Sequence, residues 1–221
     1  MSKDKSNQIL KRIENLYQKG DFESAKNEVL KSKSHLDSGL FHYNLGSLYL
    51  KMGKIGPARL QLEKAKVKGF NFPMLWKNLN YVNGQPQVQD PTKSKDLKEF
   101  FIGKTLDIPI SSFILFSTVV FILILFFLRR KTLNIVSFLT LFILLSLLPL
   151  GFKYYLDHSL DYAIALVPTR VYEGPSKIYP DYGELGEGSR VILSKYHDNW
   201  FFITSPQDYM GWVEKDKLGF Y

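Results

Sequence analysis

The chain has 221 residues, 29 lysines and arginines against 21 aspartates and glutamates, and no cysteine. The missing thiol excludes disulfides, thiolate metal sites, thiol catalysis and a lipoprotein anchor. The formal charge of +8 is uneven, with most of it in the N-terminal region and a slightly acidic C-terminal region, which argues against a nucleic-acid protein with one basic face.

The first region, residues 1–82, repeats itself. Gly20-Asp21-Phe22-Glu23-Ser24-Ala25 recurs about 33 residues later as Gly53-Lys54-Ile55-Gly56-Pro57-Ala58, the period of a helix-turn-helix solenoid. In each unit a helix ends, glycine takes the turn, and the next helix brings a small alanine against the previous one. Around the second unit, "HYNLGSLYLKMGKIGPARLQLEKA", the segment resembles a tetratricopeptide (TPR) repeat. Leu45, Gly46, Tyr49, Ala58, Leu62 and Ala65 fall on the signature positions. His42 replaces the usual Trp and Phe70 the closing Pro. The first unit is a weaker match, with Ile9, Ile13, Leu16, Ala25 and Val29 as its apolar positions, and residues 73–79, with Trp76 and Leu79, read as a capping helix. The resemblance implies an all-α solenoid of about five helices. It also implies a concave strip that binds protein partners, lined by Tyr43, Asn44, Ser47, Leu50, Lys51 and Asn78; the competing reading makes these ordinary surface and packing residues. The lysines and asparagines by which some TPR domains clamp a carboxylate are not reproduced, since Leu10 and Glu14 stand at the first-repeat positions.

Residues 83–107 form a linker. It opens with the turn-rich "NGQPQVQDPTKS" and continues with "KDLKEFFIGKTL", either an interfacial segment or a helical continuation into the first apolar run. Two uncharged runs then occupy 108–128 and 133–152. Each is about 20 residues long, enough for about 30 Å of hydrocarbon at roughly 1.5 Å per residue. Pro109 suits an early helical position, and Pro149 is expected to kink the second run. Between them a basic turn, 129–132, carries Arg129, Arg130 and Lys131. Lys153, Tyr154 and Tyr155 open a short linker, 153–161, with the aromatic and basic character of the headgroup layer.

Residues 162–221 read as short alternating strands with glycine turns at Gly183, Gly186 and Gly188. In "NWFFIT" Trp200 and Phe202 face one way and Phe201 and Ile203 the other. The segment is similar to a bacterial SH3 (SH3b) domain, a small all-β barrel: Val171 to Ser176 matches its opening, Leu185 to Val191 its glycine turn, Trp200 its central Trp, and Gly211-Trp212-Val213 with Leu218 its close. Tyr172, Tyr179, Trp200, Tyr209 and Trp212 are then either an aromatic ligand groove or core.

Other motifs are weak. "GKT" at 103–105 lacks the upstream glycine of a phosphate loop, and the four histidines have no metal spacing. No catalytic set stands out, so the expectation is a protein without enzymatic activity, cofactor or metal.

TPR, two membrane helices and SH3b, in that order, resemble the BatE-like members of the Bat (Bacteroides aerotolerance) group of bacterial membrane proteins. The resemblance implies an envelope adaptor in the bacterial cytoplasmic (inner) membrane. Its implied partners are von Willebrand factor A-domain membrane proteins and a MoxR-type ATPase, in stress or aerotolerance; nucleic acid is not among them. The alternative is an SH3b module that binds or senses peptidoglycan. Keeping the three cations of the turn cytoplasmic is favoured by about 2.3 kcal/mol each per 100 mV of potential, which puts both polar domains outside, on one shared side. Lys93, Lys95, Lys98 and Lys104 pull the other way. The opening "MSKDKSNQILKRIENL" has no hydrophobic leader, so that placement requires a removed leader or transport by the first span.

Overall fold

The computed structural model describes residues 2–130 and 134–221, so Lys131, Thr132 and Leu133, at the basic turn and the start of the second predicted span, lie outside the described residues. The chain divides into two compact units, one made of Met1–Asp90 with Tyr162–Tyr221 and the other of Pro91–Asp161.

The first unit begins with five helices, α1 (Ser2–Gln18), α2 (Phe22–Lys31), α3 (Ser38–Lys51), α4 (Ile55–Val67) and α5 (Pro73–Asn83), each packed on the one before it. Their limits follow from local chemistry. Asp21 and Asp37 cap α2 and α3 by accepting N–H bonds from Ser24 and from Gly39 and Leu40, and Pro73 opens α5 where its missing N–H costs nothing. Gly20 and Gly53 turn the chain with φ of 77° and 72°, a region open to glycine. Small residues let α3 and α4 approach: Ala58 is fully buried, and a Cβ on Gly46 would stand 2.8 Å from Leu62.

Seven strands follow: β1 (Asp161–Ala165), β2 (Thr169–Tyr172), β3 (Asp181–Leu185), β4 (Arg190–His197), β5 (Trp200–Ser205), β6 (Gly211–Glu214) and β7 (Leu218–Phe220). They form one antiparallel sheet in the order β3-β2-β6-β5-β4-β1-β7. The ladder does not close as the expected barrel would: β3 and β7 are its two ends. It nonetheless curls around a single core, since Ala163, Ala165, Val171, Leu185, Val191, Leu193, Ile203, Val213 and Leu218 bring every strand into one cluster. Shifts of register between β2 and β3 and between β4 and β5 supply the bending.

Helices and sheet meet along α4 and residues 87–90. Ile164 and Ile192, on the face of β1 and β4 turned from the core, are 0% and 5% exposed, because this second face is covered as well. Glycines mark the contact: a Cβ on Gly56 would stand 2.5 Å from the Leu166 carbonyl, and one on Gly219 2.6 Å from Leu60. Beneath lies a set of buried charges. Arg59 binds Asp90 and donates to the Gly188 carbonyl at 2.8 Å; Arg190 meets the other Asp90 oxygen at 3.0 Å. Glu63 lies 3.8 Å from Arg190 and 2.6 Å from Lys66. Low dielectric makes such pairs strong only while every member is present. The Gln89 carbonyl accepts from Arg190 N–H, and Gln89 N–H donates to Ser189, so the end of the helical half is tied to the turn that opens β4.

The second unit contains α6 (Leu97–Asp107), α7 (Ile110–Arg129), α8 (Ile135–Phe142) and α9 (Leu148–Ser159). α6 is a separate helix and not a continuation of α7, because Ile108 before Pro109 is extended, as a residue preceding proline prefers. α7 over 110–127, and α8 to α9 over 135–159, are long and apolar enough to cross a membrane, their most apolar 18 residues having mean hydropathies of 2.7 and 2.4. Ser117 and Ser146 bind each other's carbonyls at 3.2 and 3.1 Å across this pair. Between α8 and α9 the chain widens into a π-helical stretch, Ile143–Leu147. Pro149 follows, with no N–H for the regular ladder. The helix then runs past the predicted end of the span to Ser159.

Candidate functional site

A groove of about 610 Å³ crosses α1, α3 and α5. Tyr43, Asn44, Ser47, Leu50 and Lys51 recur on α3 at the spacing that keeps one helical face together, and all five line it, with Asn78 of α5 opposite. Every residue expected on the concave strip is therefore on one continuous surface. The Asn78 amide donates to Ser47 at 3.0 Å. The Asn44 amide nitrogen is buried without a hydrogen-bond partner, an orphan donor whose desolvation costs about 1–3 kcal/mol. Tyr43 stacks on Phe70 with centroids 4.6 Å apart, so its ring is fixed by packing. Lys51 holds its ammonium 5.7 Å over the Tyr17 ring.

The groove also includes residues not singled out from sequence as binding residues: Ile13 and Tyr17 of α1, and Lys77 and Tyr81 of α5. The signal was present, since 10, 13, 14 and 17 share one face of α1, but the weak first repeat hid it. Leu10 and Glu14 line the same wall. Apolar floor, amides and rim charges together suit an extended polypeptide, whose backbone pairs with amides while one or two side chains fill the floor.

The aromatic residues of the sheet divide. Tyr172, Trp212 and Phe202 lie in register across β2, β6 and β5. Tyr172 meets Trp200 edge-on at 5.4 Å and Trp212 meets Phe202 at 5.4 Å. These rings are half-buried and stand on the face turned from the aliphatic core, so they are not its filling. Tyr179 lies against Gly174 in the β2–β3 loop, and Tyr209 packs on the core. Lys195 stands 5.6 Å over Phe202. Among the described residues no group of three or more His, Asp or Glu comes together to hold a metal ion.

Compared with protein-family models, with curated proteins and with solved structures, the chain matches none.

Proposed function

We propose that the protein is a membrane-anchored adaptor of the bacterial envelope, in which a TPR-like helical half recruits protein partners through its groove and the apolar hairpin holds it at the membrane. The observation that carries this reading is the convergence of Tyr43, Asn44, Ser47, Lys51 and Asn78 on one groove of about 610 Å³. The helical half is read as a short TPR solenoid, the curled sheet as an SH3b-like module, and the whole as BatE-like. Partners of the von Willebrand factor A-domain and MoxR-type ATPase classes belong to that proposal. Both polar halves are placed outside the cytoplasm. Their shared side is supported twice, by the even number of spans and by the buried charges that join them.

The test is the pair Asn44→Ala with Lys51→Glu in the full chain. Tyr43 is left in place because its ring stacks on Phe70. Membrane partners that co-purify with the parent protein are expected to be lost while the thermal transition stays in place; partners retained at parental levels overturn the reading. Active alkaline phosphatase fused after Tyr221 is the expected result for orientation, and a fluorescent fusion there in its place would reverse it.

A second reading is favoured by the half-buried Tyr172, Trp200, Phe202 and Trp212 on the outer sheet face. These rings suit a wall fragment or peptide, and Trp200→Ala would weaken peptidoglycan binding and leave the groove partners unchanged.

A further inference from the structure

Tyr196 at the end of β4 is 61% exposed and Phe220 of β7 is 38% exposed. Phe201 joins them, with ring centroids 5.2 Å from Tyr196 and 5.3 Å from Phe220. Tyr196 is the register partner of Phe201, and Phe220 that of Ala163. The three rings thus continue the inward side of the sheet beyond its aliphatic cluster and close one mouth of the curl, their outer surfaces in water. The Lys215 ammonium stands 5.6 Å over Tyr196.

The strand directions say which mouth this is. Ala165, at the end of β1, donates to Ser189 O and accepts from Gly188 N, at 2.9 and 2.8 Å. β4, the neighbour of β1, therefore starts where β1 ends and runs back toward the residues where β1 begins. Those residues come directly after α9: the helix ends at Ser159 and β1 opens at Asp161. Beyond the apolar run, Lys153 to Ser159 add about 10 Å of helix at about 1.5 Å per residue, a little more than the roughly 5–7 Å of one headgroup layer. By connectivity alone, the start of the sheet is tethered within a few residues of the lipid surface.

We infer that this aromatic mouth rests on the lipid headgroup layer of the same membrane, with Tyr196 and Phe220 seated at the boundary between headgroups and acyl chains. The inference rests on the membrane reading of the hairpin proposed above. Amphipathic rings flanked by lysine are the chemistry that collects at this boundary. Lys195, His197 and Lys215 share the region with Asp161 and Asp198, so the contact is apolar and does not depend on anionic lipid or low salt.

The absence of cysteine makes the test direct. A single fluorophore is placed on Tyr196→Cys, on Glu184→Cys at the exposed β3 edge, or on Ile122→Cys in α7. The full chain is held in phosphatidylcholine nanodiscs containing lipid with a nitroxide near the top of its acyl chain. Labels at 122 and 196 are expected to be quenched several-fold more than the label at 184, and high salt is expected to leave the difference unchanged. If 122 is not quenched, the membrane reading itself fails. If 122 is quenched and 196 is no more so than 184, this inference alone is overturned. A label at Lys215→Cys guards against an effect of removing Tyr196: it is expected to be quenched with Tyr196 present and to lose that quenching in Tyr196→Asp, and an unquenched 215 label on the parent background counts against the contact.

Discussion

The helical half carries charged residues on two of its surfaces, with opposite fates. Lys51 and Lys77 stand exposed at the groove, and no salt bridge among the described residues involves them. Arg59 and Glu63 on α4 are 3% and 2% exposed and reach Asp90 and Arg190. The second set shows what buried charges do when a second element supplies their counter-ions: they fix which surfaces must meet. The first set has no carboxylate partner among the described residues, Lys51 resting only over the Tyr17 ring, and keeps its charge for whatever enters the groove.

Asp90→Ala should separate the two sets most strongly, because it leaves two buried guanidiniums without their shared carboxylate. A loss of about 3–5 kcal/mol in urea unfolding is expected. An effect no larger than that of Lys51→Ala would erase the contrast. Gly56→Ala attacks the same contact sterically, since its methyl would meet the Leu166 and Ala165 carbonyls at 2.5 and 2.6 Å. About 1–3 kcal/mol should be lost, with faster proteolysis between the halves. Asp37→Ala removes the α3 cap and should cost about 1 kcal/mol in thermal denaturation, without touching either charged set. Lys51→Ala and Lys77→Ala should stay within about 0.5 kcal/mol of the parent, and a clear stabilisation or loss would mean the groove lysines matter to the fold and not to the groove alone.

The smallest effect concerns pH. The Ser24 hydrogen bond holds the Asp21 carboxyl below its ordinary value, so its cap on α2 is present above the unfolded carboxylate range near pH 4 and is lost as pH falls through the lower folded value. Amide protection factors in the first turn of α2, taken against the intrinsic exchange rate at each pH, should fall in that window and stay level in Asp21→Asn.

The helices were legible because their signals are local. Gly20 and Gly53 mark turns, Ala58 marks a close crossing, and Tyr43 to Lys51 fall on one face of a single helix. The strands were legible from alternation, but the open ladder was not: whether β3 meets β7 depends on bends that no single strand encodes. Least legible was the joint between helices and sheet. Asp90 and Arg190 are 100 residues apart, and nothing near either names its partner. Gly186 reads as a turn residue in the sequence, yet it also makes room for the Gln87 backbone. Nor did the aromatic pattern alone tell core from outer face in Tyr172 and Trp212, since each strand is only four residues long and alternates a valine with a single large ring.

The same joint has a consequence for synthesis. Ile55, Arg59, Glu63 and Val88 leave the ribosome before their cover exists, and Arg190 comes 100 residues after Asp90. At about 5–20 residues per second the wait is on the order of ten seconds, during which two long apolar helices are also made. The helical half must therefore spend that interval as an incomplete fold with one sticky, charged flank. Its last step is a long-range closure, and slow completion is the expected result of such a high sequence separation. A chaperone or early insertion of the hairpin would act on that interval, before any partner reaches the groove.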